Sequence, residues 1–138
     1  MREHKINGLV VMALSKAFKG IHNESLDLFR ENNITFSQFA VLEALYTKGF
    51  LTIQEIIDVV LTTSGNMTVV IKNLEKNGLV VKETNPKDKR SYVISLTPKG
   101  RELIKSIFPE HMKILTKRLD VLTKEEKNTL LATLKKLY

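Results

Sequence analysis

Residues 52–98 read TIQEIIDVVLTTSGNMTVVIKNLEKNGLVVKETNPKDKRSYVISLTP, and the change of hydrophobic period inside this stretch decides the fold. Thr52 and Glu55 have the spacing of a capping box, in which each side chain satisfies a backbone N–H near the other. Behind them Ile53, Ile56, Ile57 and Val60 recur at helical spacing and mark one face. Leu61-Thr62-Thr63 makes a turn, and Thr63 or Ser64 stands where a second helix is capped. That helix repeats the pattern with Met67, Val70, Ile71 and Leu74, and Gly78 suits its end. The period then drops to two. Leu79, Val81 and Glu83 should share one strand face, while Tyr92, Ile94 and Leu96 should alternate with Val93 and Ser95. Between these runs Asn85-Pro86-Lys87-Asp88-Lys89-Arg90-Ser91 is polar and turn-prone, which predicts a hairpin with a long basic tip.

The flanks are helical. Upstream, Thr35 and Gln38 form another capping-box spacing ahead of Phe36, Phe39, Ala40, Leu42 and Leu45, and Gly49 suits the stop. Downstream, Thr97-Pro98 starts a helix with Leu103, Ile104, Ile107 and Phe108, then Ile114, Leu115 and Leu119. Pro109 should kink that helix or split it in two. Thr123 and Glu126 open a last helix carrying Leu130, Leu131, Leu134 and Leu137. Residues 5–30 place Ile6, Leu9, Val10, Val11, Met12, Leu14, Phe18 and Ile21 on several faces. A lone surface helix would show one apolar stripe, so this one needs more than one partner, and a second copy of the chain is the natural candidate. The fold class expected is mainly α with a small β-hairpin wing. A winged helix-turn-helix lobe occupies about residues 34–97, and helical dimerisation regions occupy about 5–30 and 98–138, in a single domain over 1–138.

Composition narrows the function. The chain has 138 residues, 43% of them hydrophobic, enough for a core. No apolar run approaches the roughly 20 residues needed to span a bilayer, and no secretory signal is evident, so the expected place is the cytoplasm, away from membranes. With no cysteine there is no disulfide, thiolate metal site, cysteine nucleophile or thiol redox sensor. The net charge of +7 points to an anionic partner, and its distribution sharpens that. Residues 61–101 hold eight Lys/Arg against three Asp/Glu, whereas residues 34–60 hold one against three. The positive excess therefore falls on the second helix and the hairpin.

An α-helix fits the major groove of duplex DNA, with its N-terminal residues nearest the base edges. With Met67, Val70, Ile71 and Leu74 inward, the recognition helix, about 64–77, turns Gly65, Val69, Lys72 and Lys76 outward, with Asn66, Thr68 and Asn73 at the edges. Asn hydrogen-bonds adenine, and Thr or Val contacts a thymine methyl. Lys72 and Lys76 suit phosphates, as do Ser64 and the N–H groups of the helix start. The wing, about 79–96, carries Lys87, Lys89 and Arg90 at its tip, charges suited to a narrow minor groove. Asp88 would repel phosphate, so its expected role is to pair with Arg90 or a lysine and hold the tip's shape.

These residues resemble the MarR family of bacterial transcriptional regulators. Leu74-Glu75-Lys76-Asn77-Gly78-Leu79-Val80 is similar to the family's helix end and first strand. Asn85-Pro86-Lys87-Asp88-Lys89-Arg90 is similar to its Asp-x-Arg wing, and Leu96-Thr97-Pro98-Lys99-Gly100 to the Leu-Thr-x-x-Gly that starts its dimerisation helix. The resemblance implies a triangular homodimer whose first and last two helices intertwine. It implies that Arg90 enters the minor groove with Asp88 positioning it, and that Ser64, Asn66, Thr68 and Val69 begin the recognition helix. Many members carry an arginine where this chain has Val69, a departure that bears on base recognition and not on docking. The family's usual phenolic or lipophilic effectors bind between the dimer helices and the DNA-binding lobe and release DNA. Here Phe18, His22, Phe39, Ile107, Phe108 and His111 are the candidate lining, although most such residues are plain core. A zinc-sensing branch needs clustered ligands, and His4, His22 and His111 form no His-x-x-x-His pair, so no metal or other cofactor is expected.

Rival readings have less behind them. No nucleotide loop, Gly-x-Ser-x-Gly, metal motif or catalytic triad is present, so no catalytic residues are expected. A winged helix serving protein–protein contact without DNA is the alternative, and a wing tip rich in Lys and Arg argues against it. RNA is disfavoured because its A-form major groove is too deep and narrow for the reading helix. The expectation is therefore a homodimeric, sequence-specific regulator of double-stranded DNA, a repressor relieved by a small ligand at a pseudo-palindromic operator.

Overall fold

A computed structural model describes residues 2–60 and 66–138. The elements are α1 (Arg2–Glu31), α2 (Phe36–Lys48), α3 (Ile53–Val59), α4 (Met67–Lys76), β1 (Val80–Asn85), β2 (Asp88–Leu96), α5 (Pro98–Leu119), α6 (Lys124–Leu134) and a closing 3-10 turn, Lys135–Leu137. Three boundaries follow from reciprocal capping. The hydroxyls of Thr35, Thr52 and Thr123 accept the N–H of Gln38, Glu55 and Glu126, whose side chains accept the threonine N–H in return.

Helix ends are equally local. The N–H of Gly78, at φ 72°, donates to Glu75 O at 2.9 Å, and that of Leu79 donates to Leu74 O at 2.9 Å. This is the Schellman pattern, which needs a left-handed residue at Gly78. Asn33 (φ 56°) ends α1 in the same way, its N–H reaching Arg30 O while that of Ile34 reaches Phe29 O. Leu79 thus belongs to the helix end and not to a strand. It is buried while Val81 and Glu83 are exposed, which corrects the expectation that the three share one face.

The chain divides into two compact units, Leu26–Pro109 and Met1–Ser25 with Glu110–Tyr138. In the first, Leu42, Ile56, Leu74, Ile94 and Ile104 have no exposed surface, and the Phe29 ring lies tilted 4.8 Å from that of Phe39. The hairpin β1–β2 is antiparallel, and Leu51 adds a single bridge to it, exchanging N–H···O bonds with Ile94 at 3.1 and 2.7 Å. That bridge ties the α2–α3 corner to the wing. Ile57, expected on the inner face of α3, is 44% exposed, because a helix as short as Ile53–Val59 buries only Ile56 deeply.

In the second unit α1, α6 and the closing 3-10 turn carry apolar residues outward. Ile6, Leu9, Val11, Phe18, Leu130, Leu131 and Leu137 are exposed within the single chain. Arg118 of α5 pairs with Glu24 of α1 at 2.6 Å, where Gly20 leaves room for the guanidinium. Pro109 does not split its helix, since α5 runs from Pro98 to Leu119. The proline costs one backbone bond and a local clash, and a helix held by residues such as Ile104 and Ile107, both buried, absorbs that. Among the described residues no helix is long and apolar enough to cross a membrane.

Candidate nucleic-acid interface

α4 packs through Met67, Ile71 and Leu74, which are buried, with Val70 partly so. Its other face carries Thr68, Val69, Lys72, Asn73 and Lys76, all exposed. Val69 is 50% exposed, so a β-branched apolar group does face outward beside two lysines. The helix begins later than the sequence suggested. Asn66 is at the N-cap position and makes no side-chain cap bond, and Met67 is the first helical residue. The expected cap at Thr63 or Ser64, and the candidates Ser64 and Gly65, lie outside the described residues.

The end of α4 is tied to the start of α5. The Thr97 hydroxyl donates to Gly78 O at 2.6 Å and accepts the N–H of Gly100 at 3.0 Å, while the Thr97 N–H reaches Leu79 O at 3.1 Å. Lys99 Nζ donates to Asn77 O at 2.9 Å. A Cβ on Gly100 would collide with the carbonyl of Leu79, lying 2.9 Å from its carbon. One threonine therefore caps a helix and holds the previous helix's last turn, and glycine is the residue that lets the two backbones meet.

The wing differs from the long loop expected. Its turn is two residues, Pro86-Lys87, and Asp88, Lys89 and Arg90 belong to β2. The ladder pairs Thr84 with Tyr92 and then Asn85 with Asp88, so Lys89, Arg90 and Ser91 have no counterpart on β1. Such an insertion bends the strand and re-aims its side chains. Asn85 is the reason the turn is short: its Oδ1 accepts the N–H of Lys87 at 3.0 Å, an Asx turn. Asp88 Oδ1 accepts both the N–H of Arg90 at 3.0 Å and its Nε–H at 3.3 Å. Asp88 does pair with Arg90, as expected, and the arginine side chain stays 92% exposed. Lys82 on β1, which sequence reasoning passed over, rests its ammonium 4.5 Å from the centre of the Tyr92 ring. The ladder pairs Lys82 with Ile94, two residues along β2 from Tyr92, so the contact is diagonal across the strands and only the register shows it.

The six candidate ligand-lining residues divide between the two units. In one, Phe39 and Ile107 are buried core, and Phe108 is half-buried with its ring 6.2 Å from that of Tyr46. In the other, Phe18 is largely exposed and stacks on His22 at 5.9 Å, and His111 is buried, which pushes its imidazole pKa down. On α2, burial of Glu43 pushes its carboxyl pKa up. Among the described residues no group of three or more His, Asp or Glu is arranged to hold a metal ion.

The sequence pattern of the MarR family matches residues 34–92, from just before α2 to the middle of β2. The chain is 40% identical over 122 residues to the HTH-type transcriptional regulator YkoM of Bacillus subtilis, covering 88% of this chain and 79% of that one. It is 34% identical over 115 residues to the HTH-type transcriptional regulator MhqR of the same organism, covering 83% and 79%. Its fold superposes on Bordetella bronchiseptica BpsR, whose DNA binding is regulated by 6-hydroxynicotinic acid, with a TM-score of 0.82 and 23% identity over 93% of this chain and 91% of that one. With its mostly helical fold, its two-stranded wing and these relatives, the chain belongs to the MarR family of HTH-type transcriptional regulators.

Proposed function

We propose that this chain is a sequence-specific repressor that binds duplex DNA as a homodimer and is released by a small lipophilic or phenolic effector. The observation that carries the reading is the exposed row Thr68, Val69, Lys72 and Lys76 on α4, followed in the same compact unit by a wing carrying Lys87, Lys89 and Arg90. In this reading α4 enters the major groove. Asn66, Thr68 and Val69 meet base edges, Lys72 and Lys76 meet phosphates, and Ser64 and Gly65 belong to the proposed set of DNA contacts. Arg90, held by Asp88, reaches the adjacent minor groove, with Lys87 and Lys89 on the backbone beside it. The outward apolar residues of α1 and α6 support a second copy as partner, since a surface of this kind facing water would be costly. The regulated DNA binding of BpsR supports an effector for this chain. Phe18, His22, Phe39, Ile107, Phe108 and His111 are its proposed lining, residues 1–138 its single functional domain and the cytoplasm its place. The chain acts by binding, without catalysis or a cofactor.

Selection from a random duplex library with the wild-type protein tests this. The expected product is a two-fold sequence with half-sites about one helical turn, ~10 bp, apart, bound by two chains. Enrichment of no sequence, or one chain bound per duplex, would refute it.

A further inference from the structure

We propose that Asn85 and Ser91 are the positioning residues of the wing arginine, a role that rests on the DNA-binding reading above and deepens it. Lys89, Arg90 and Ser91 have no ladder partner on β1, so backbone pairing does not set where Arg90 points. Side-chain bonds do. Asn85 Nδ2 donates across the hairpin to Ser91 Oγ at 3.0 Å, and Ser91 Oγ donates to the Asp88 carbonyl at 3.3 Å. Asp88 Oδ1 then accepts the backbone N–H and the Nε–H of Arg90. A continuous chain of bonds thus leads from the last residue of β1 to the guanidinium. Asn85 also fixes the turn through Lys87, so one amide holds both the turn and the far end of the inserted segment.

Shelter decides which bonds carry the load. The Asp88–Arg90 pair is exposed, and an exposed pair holds an arginine weakly on its own. Asn85 and Ser91 are half-buried, where a hydrogen bond is stronger and less exchanged with water. The sheltered bonds therefore fix the Asp88 backbone, and Asp88 presents Arg90 already oriented. Ordering the arginine before DNA arrives removes a cost that binding would otherwise bear.

A double-mutant cycle distinguishes this from a merely structural role. The probe is the duplex selected by the wild-type protein, at fixed salt. Asn85→Ala and Ser91→Ala should each weaken binding about five- to tenfold, the effect of losing the one hydrogen bond that they share. Ser91→Thr, which keeps the hydroxyl, should bind like wild type. In an Arg90→Ala background neither alanine should weaken binding further. An equal loss with and without Arg90 overturns the proposal, as does wild-type affinity of Asn85→Ala. The heteronuclear NOE of the Arg90 Nε–H group in free protein gives a readout without DNA. It should be high in wild type and fall in Asn85→Ala, and an unchanged value overturns the proposal. If wild type selects no duplex, the functional reading fails, and the NOE still decides whether Asn85 orders the arginine.

Discussion

Replacing Gly100 by alanine should destabilise the protein although alanine is the better helix former. Gly100 sits in the first turn of α5, where glycine costs up to about 1 kcal/mol relative to alanine, so propensity alone predicts a gain. Packing opposes it. The new methyl would lie 2.9 Å from Leu79 C and 3.2 Å from Leu79 Cα, against an optimum of roughly 3.5–4.0 Å. Those atoms are backbone and cannot rotate away. The Leu79 carbonyl is itself held by the Thr97 N–H, and Gly78 O by the Thr97 hydroxyl. Relief means parting the end of α4 from the start of α5. Overpacking costs about 1–3 kcal/mol, and each hydrogen bond lost adds about 1 kcal/mol. With one such bond lost and the propensity gain set against it, the net loss is roughly 1–3 kcal/mol. Urea unfolding at one protein concentration, fitted for midpoint and slope, measures it. A midpoint equal to or above wild type would refute the close approach as the reason for glycine.

Other outcomes follow from the same contacts. Thr97→Val keeps the shape and removes the hydroxyl, leaving Gly78 O and the Gly100 N–H without it, and should cost about 1–3 kcal/mol in the same assay. Arg90→Ala should weaken duplex binding by about 1–3 kcal/mol with unchanged thermal stability, read by fluorescence anisotropy. Lys72→Ala should lower affinity for all sequences alike and flatten the salt dependence, and a sequence-selective loss would make Lys72 a base reader. Burial raises the Glu43 pKa, so its favourable share is complete below the ordinary carboxyl value and is lost as pH rises through the raised one. Glu43→Gln should therefore gain stability relative to wild type as pH rises from below the ordinary carboxyl value to above the raised one, seen as a growing difference in urea midpoint.

Much of the fold was legible because its signals are local. The three capping boxes needed only a threonine and a partner three residues on, and all three formed. Gly78 and Gly49 both took positive φ at helix ends, as their positions suggested. The misreadings share a cause, since each needed information from across the fold. A run of polar residues from Asn85 to Ser91 looks like a loop until Asn85 binds Ser91 and shortens the turn to two residues. Leu79 looks like a strand residue until its N–H closes the α4 terminus. Ile57 matches an inner-face spacing, but the length of α3 and the neighbours it meets decide burial. In the candidate site, the outward row of α4 followed from helical spacing alone, and the Asp88–Arg90 pair from charge. The roles of Thr97 and Gly100 were visible only as a motif, because their partners, Gly78 and Leu79, lie about twenty residues earlier in the chain.

The central claim is tested most directly by titrating salt against the affinity of the wild-type protein for a duplex containing the region upstream of its own gene. Log affinity should fall linearly with log salt, with a slope of about −0.9 for each phosphate neutralised. The slope should shrink when Lys72 or Arg90 is removed. An affinity indifferent to salt, or no measurable binding at low salt, would contradict a DNA-reading role for α4 and the wing.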